Sequence, residues 1–278
     1  MSPLRVMTFN LRYPARDGQP WSARLPVARD LLRTAAPHMV GTQEGHLHQL
    51  EELVAGLPER YAWLGTGREG GDAGEFTAIL YDQERVRVDR WEVRWFSDRP
   101  TVPGTRGPGA AHPRTVTWID ATDRVTGQRL RMLDCHLDHR SQPARLAAAE
   151  ALATYTSDAR ENGRAVVLLG DFNVSQDDEV HARLTGGGDS AGREDATGLS
   201  DVVDTLRAGA PGSDPCPDAR IDTFHHYRGV KRTGKRIDWI LHSPDLVPLD
   251  YRVDTHGRGF QYPSDHFPVL ADLVPAGS

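Results

Sequence analysis

Cysteine, lysine and long apolar runs are all scarce in this chain, and each shortage closes off a class of protein. Two cysteines, Cys135 and Cys216, among 278 residues make no disulfide framework. Cys135 lies in an apolar run and Cys216 in a proline-rich stretch, which reads as two free thiols. No apolar stretch approaches the ~20 residues that span a bilayer, so no membrane partner is expected. The opening Met1-Ser2-Pro3-Leu4-Arg5-Val6 lacks the charged and apolar regions of a secretory signal, and the protein is expected to be cytoplasmic. Cations are in deficit too. The net charge is −6, whereas a protein held mainly by nucleic-acid phosphates usually carries the opposite sign. This argues against a general DNA or RNA binder but leaves room for a small phosphorylated substrate. Lys231 and Lys235 are the only lysines, a skew that reads as compositional. No repeat of fixed period is visible, and the sequence is silent on oligomeric state.

What remains is ordinary globular material, 38% hydrophobic and 26% charged. Strand-like runs recur at 4–9, 39–42, 61–65, 76–81, 86–96, 115–121, 129–137, 165–170, 236–241 and 269–273. Helical patterns lie between them. Ser22 can cap a helix reaching Ala36, with Pro37 ending it. His46 to Ala55 spaces its leucines as a helix does, and Pro143 to Asn162 carries an Ala/Leu stripe with proline in its first turn and Gly163 after its last residue. Gly/Pro-rich breaks at 65–74, 100–113, 186–198 and 208–218 do not separate self-contained hydrophobic sets. The expectation is one α/β domain over 1–278, with sheets covered by helices.

Several familiar motifs fail on their context. Gly65-Thr66-Gly67-Arg68-Glu69-Gly70 matches a dinucleotide fingerprint, but a second glycine-rich stretch and another strand follow where a helix should start, so a loop or hairpin is expected. Gly188-Asp189-Ser190-Ala191-Gly192 matches a nucleophile elbow without the strand and helix that should flank it. The run from Asp171 to Asp177 opens like a calcium loop, yet Gln176 stands where glycine is needed and Ala182 where a bidentate Glu belongs. Cys135, His136 and His139 suggest zinc, but on a strand end the two histidines would point to opposite sides.

The informative feature is Gly170-Asp171-Phe172-Asn173 after the apolar run 165–169. In strand geometry Asp171 and Asn173 share one face and can hold a water or a metal-bound oxygen. Other polar residues fall at corresponding places. Asn10 ends the first strand and Glu44 the second, His136 follows 131–134, Asp238 sits within 236–241, and Asp265-His266 precede Phe267-Pro268-Val269. Any one of these could be a structural cap; the set is harder to dismiss.

At these residues the chain resembles the endonuclease/exonuclease/phosphatase superfamily of metal-dependent phosphohydrolases. Gly-Asp-Phe-Asn (170–173) and Ser-Asp-His-Phe-Pro-Val (264–269) carry the resemblance, with Thr-Gln-Glu (42–44), His-Leu-Asp-His (136–139) and Arg-Ile-Asp-Trp (236–239) matching small bacterial members. The resemblance implies a four-layered α/β sandwich, two packed mixed sheets flanked by helices, with the active site at one edge. It also implies that Glu44 holds a metal, with Asn10 and Asp265 nearby, and oxygen ligation suits Mg²⁺ or Mn²⁺. Asp171 would orient or deprotonate the attacking water and Asn173 would hold that water or the phosphate. His266 would donate to a non-bridging oxygen with Asp238 fixing its charge and tautomer. His136 would contact the phosphate or protonate the leaving group, with Glu75 as its carboxylate partner.

The chemistry agrees: a phosphoester needs in-line attack by water and positive charge on its equatorial oxygens, which a metal and protonated histidines would supply. A carboxylate beside His266 should keep it cationic near neutral pH. Substrate choice falls to the loops 12–21, 65–75, 97–114 and 223–235. Arg68, Arg114 and His225 are the candidate substrate ligands there. The basic 231–236 cluster adjoins Asp238 and lines the cleft or meets nucleic acid. No aromatic membrane hairpin and no inositol-phosphatase Pro-x-Trp-Cys-Asp-Arg segment is present. The expected partner is a small phosphorylated metabolite or nucleotide, with phosphodiester cleavage of nucleic acid as the alternative and an inactive binding module as the last.

Overall fold

The computed structural model describes residues 2–186, 198–259 and 261–277; the 188–192 motif lies outside them. Two six-stranded sheets dominate. The first runs β11 (Leu246–Val253), β12 (Val269–Pro275), β1 (Leu4–Asn10), β2 (Met39–Gly45), β4 (Phe76–Asp82) and β3 (Tyr61–Leu64). The second runs β5 (Val86–Trp95), β6 (Thr115–Asp123), β7 (Arg129–His136), β8 (Ala165–Asp171), β10 (Asp238–His242) and β9 (Ser200–Asp201). Both are mixed: β1 and β2 pair parallel, as do β7 and β8, and the other pairings are antiparallel.

The layers follow from the period of two along each strand. In β1, Leu4 and Val6 join an apolar cluster between the sheets, while Met7 and Phe9 face outward. In β8, Val167 and Leu169 face inward and Val166 and Leu168 outward. The outer face of the first sheet is covered by α1 (Trp21–Ala35) and α2 (Leu47–Ala55). α3 (Gln142–Glu161) and α4 (Glu179–Thr185) cover the second. This is the four-layered sandwich. α5 (Val202–Gly209) and a 3-10 turn at Pro217–Arg220 add Val202, Val203 and Ala219 to the inter-sheet cluster.

Local details depart from the sequence expectations. α1 starts at Trp21 with Pro20 as an uncapped N-cap, so Ser22 lies inside the helix. α3 is capped by Ser141, whose hydroxyl accepts from the Ala144 N–H at 3.2 Å, and Pro143 sits in its first turn. The fingerprint-like stretch is the expected tight loop, in which Gly67 bridges to Phe76 and Gly70 to Ala73. β10 begins at Asp238; Arg236 precedes it, buried against Asp201 at 3.2 Å. β11 is an element the sequence did not suggest. It contains Pro248 beside a register shift, which an edge strand tolerates because one row of its N–H groups is unpaired.

Candidate active site

The inward-facing rows of the strands end in polar residues, and this builds the site. Continuing the inward alternation of β1 brings Asn10 between the sheets; β7 brings Asp134 and His136, β8 brings Asp171, and β10 brings Asp238. His136, Asp171 and Asp238 are direct cross-strand partners, so the three side chains form one row across the second sheet. Asn10 reaches that row from the facing sheet. Its amide nitrogen donates to Asp171 Oδ2 at 2.9 Å and to Glu44 Oε1 at 3.0 Å.

Glu44 gets there by breaking the pattern. Simple alternation would send it outward with Val40. A register shift in β2 between Thr42 and Gly45, with Glu44 at φ 62°, turns it back into the site. Arg12 and Asn173, also in the site, are left-handed too, at φ 55° and 56°. Backbone of this kind concentrates where function requires a side chain in a particular place. Asn173 therefore does not share a strand face with Asp171, as the sequence reading had it. The strand ends at Asp171. Asn173 then folds back so that its own N–H donates to Asp171 Oδ1 at 2.9 Å and its amide nitrogen to the Leu137 carbonyl at 3.0 Å.

A cavity of about 510 Å³ opens over this row. Each of the expected loops contributes to it, through Arg12, Arg68, Arg114 and Phe224 among others. His266 Nδ1 lies 3.0 Å from Asp238 Oδ2, and its Nε2 lies 3.8 Å from Asp171 Oδ2. Burial alone would lower the imidazolium, but Asp238 and Asp171 outweigh it and raise His266 to about 10, so it is cationic near neutral pH as expected. Burial likewise pushes the Asp171 carboxyl up to about 7, with Asp238 adding and His266 opposing.

Four expectations need correction. His136 is not a second cation: burial, then Arg114 and Arg68, hold it well below the ordinary histidine value. Its partner is not Glu75. Arg114 Nη1 meets His136 Nδ1 at 2.8 Å and Nη2 meets His139 Nδ1 at 3.2 Å, so both rings accept there and both line the cavity. The histidines do not point to opposite sides, because the strand stops at His136. Cys135 points into the opposite, apolar layer, so no Cys-His-His trio forms. Glu75 pairs instead with Arg68, at 2.5 Å. Finally, His225 lies outside this cavity and lines a neighbouring one instead. It is buried, stacked on Phe267 at 3.8 Å, and burial lowers it to about 3.

The donor set suits a hard divalent cation. Among the described residues, ligand atoms of Glu44, Asp171 and His266 lie within 4.8 Å of one another. The cationic His266 is unsuited to ligation, which leaves oxygens. Asp265 stands opposite Glu44, and the Arg12 guanidinium sits between them, 3.5 Å from Asp265 and 3.7 Å from Glu44. Its buried Nε makes no hydrogen bond, so charge attraction rather than good geometry holds it there. Asn10 turns its nitrogen to the carboxylates while its oxygen accepts the Arg12 N–H, so it braces the acids as placed.

Sequence reasoning missed Arg24. This arginine is fully buried and donates to the backbone carbonyls of Leu11 and Arg12 on the site's first loop and of Pro263 beside Asp265. The signal was present: Arg24 shares the stripe of Trp21, Val27, Ala28, Leu31 and Leu32, and an arginine on an apolar helix face must find acceptors inside.

A sequence profile of the Endonuclease/Exonuclease/phosphatase family matches residues 7–266. The chain belongs to this family. Family members are phosphoester hydrolases. Solved structures of members superpose closely. One is a family protein from Bacteroides thetaiotaomicron, with 29% identity over 98% of this chain and 97% of that one and a TM-score of 0.82. Another is a mannosyl-6-phosphatase of the same organism, with 28% identity, 98% and 99% coverage and a TM-score of 0.81. A third, from Bacteroides vulgatus, has 27% identity, 99% and 100% coverage and a TM-score of 0.83. A comparison with curated proteins finds no match. No helix among the described residues is long and apolar enough to cross a membrane.

Proposed function

We propose that the protein is a Mg²⁺- or Mn²⁺-dependent phosphoester hydrolase acting on a small phosphorylated metabolite or nucleotide. The carrying observation is the placement of Asp171. One oxygen is held by the Asn10 amide, 3.6 Å from His136 and 3.8 Å from His266. A carboxylate with a protonation midpoint near 7 is suited to accept a proton from water at neutral pH. Asn173, tied to Leu137, flanks that water. His266, kept cationic by Asp238, donates to a non-bridging oxygen. His136 accepts from Arg114 at Nδ1, so its proton is on Nε2, facing the pocket, where it hydrogen-bonds to the phosphate or the leaving oxygen. Arg68, anchored by Glu75, and the buried Arg114 add positive charge to the cavity wall. Glu44 and Asp265, with Asp171 near, would hold the divalent cation, which when bound neutralises charge on the phosphoryl oxygens. The mannosyl-6-phosphatase relative makes sugar phosphates the first compounds to assay.

The test is phosphate release from sugar phosphates and mononucleotides, alongside bis(4-nitrophenyl) phosphate. EDTA should abolish turnover, and Mg²⁺ or Mn²⁺ should restore it. Cleavage of the diester alone would favour a nuclease-like enzyme, and full activity after exhaustive chelation would refute the metal role.

A further inference from the structure

A second cavity, of about 790 Å³, opens beside the catalytic one and shares Asn173, Phe224 and Ile237 with it. Both lysines of the chain line it, together with Arg228 and His226. Its acids are occupied. Asp178 accepts from the Val180 N–H and from Gln142. Asp222 accepts from the N–H and hydroxyl of Thr233 and from the Lys235 N–H. Its bases are comparatively free: Lys231 is 3.8 Å from Asp222 with 72% of its side chain exposed, and Arg228 and Lys235 form no ion pair among the described residues. In a chain of net charge −6, this gathers positive potential in one hollow.

The wall between the cavities is a built feature. Asp222 N–H donates to the Lys231 carbonyl and closes the loop, while the His225 and His226 N–H groups donate to the Asp265 carbonyl and fasten it to the catalytic segment. Within it, His225 to Arg228 form a turn whose two central residues, His226 and Tyr227, are both left-handed, at φ 52° and 59°. That geometry normally falls to Asn-Gly. Here it comes with a half-buried Phe224 whose ring is 4.6 Å from His266 and 3.8 Å from His226.

We infer that this second cavity is an anion subsite, and that the enzyme takes phosphoesters whose alcohol part carries a ring and, beyond it, a second phosphate or carboxylate. The inference rests on the hydrolase reading. The phosphate to be cleaved sits over Asp171 and His266, the ring lies against Phe224, and the second anion meets Lys231 and Lys235.

Glucose 6-phosphate and glucose 1,6-bisphosphate differ only in the second anion and test it directly. KM for the bisphosphate should be about ten-fold lower than for the monophosphate, as two exposed ion pairs would give. The double variant Lys231→Gln/Lys235→Gln should erase that difference while leaving turnover of the monophosphate unchanged. Calorimetric titration of glucose 1,6-bisphosphate into EDTA-treated protein reads the subsite without catalysis. Tight binding lost in the double variant, with no hydrolysis of sugar phosphates, mononucleotides or bis(4-nitrophenyl) phosphate, would uphold the subsite and overturn the hydrolase reading. Equal KM values for the two sugars, or equal affinity of wild type and double variant, would overturn the subsite and leave hydrolysis standing.

Discussion

Asp171 carries opposed demands, and the conflict makes its replacement informative. A buried carboxyl among Asp238 and Glu44 is costly to ionise, yet the proposed chemistry needs it ionised. Its folded value of about 7 lies above the ordinary 3.8. Between those values the unfolded chain has released a proton that the folded chain keeps, so the metal-free fold should lose stability as pH rises from about 4 to 7. Asp171→Asn removes this titration. It should lower kcat by at least about 100-fold and raise the melting temperature of the EDTA-treated protein at pH 7 by a few °C. Calorimetry and a rate assay on the same sample check both; an unchanged rate would remove Asp171 from the chemistry. That Asp171, Asn10 and Asp238 meet at one place was legible, because each ends or opens an apolar strand on its inward phase. The partner of His136 was not: nothing near Arg114 in the chain announces that tertiary contact, and Glu75 fitted the same vacancy on paper.

At the scale of elements, β8 shows why glycine precedes Asp171. Gly170 has φ 147°, and a Cβ there would lie 2.0 Å from the Cys135 carbonyl oxygen of β7. Gly170→Ala must push β7 and β8 apart just where His136 and Asp171 pair. It should cost roughly 2 kcal/mol or more, seen as a lower urea midpoint, and reduce activity beyond that loss. An unchanged midpoint would show that β7 yields without penalty. Ten of the twelve strands were legible from apolar runs. Those that were not have physical excuses: β11 carries Pro248 and polar residues at an edge, and β9 is two residues long. The bulge that turns Glu44 inward was also hidden, since bulges leave no trace in hydrophobic periodicity.

Across the whole molecule, the space between the sheets is graded from apolar to polar toward the site. Gln43 of β2 donates to Asp134 of β7 at 2.6 Å, and the Thr115 hydroxyl of β6 donates to that of Thr77 in β4 at 3.1 Å. Burial raises the Asp134 carboxyl well above its usual range, because it penalises the charged form. Asp134→Asn, nearly isosteric with the protonated acid that burial favours, should therefore shift the melting temperature little. Gln43→Leu, which strands a buried polar group, should lower it by several °C. Scanning calorimetry decides, and the reverse order would mean that Asp134 is ionised in the fold. The single Asn10 carboxamide goes further, since it clasps an acid from each sheet. It works as an interlock: should the two halves of the sandwich part by even a hydrogen bond's length, the reactive carboxylate loses its bearing while the sheets themselves survive, so competence for chemistry is a property of the closed sandwich and of neither half alone.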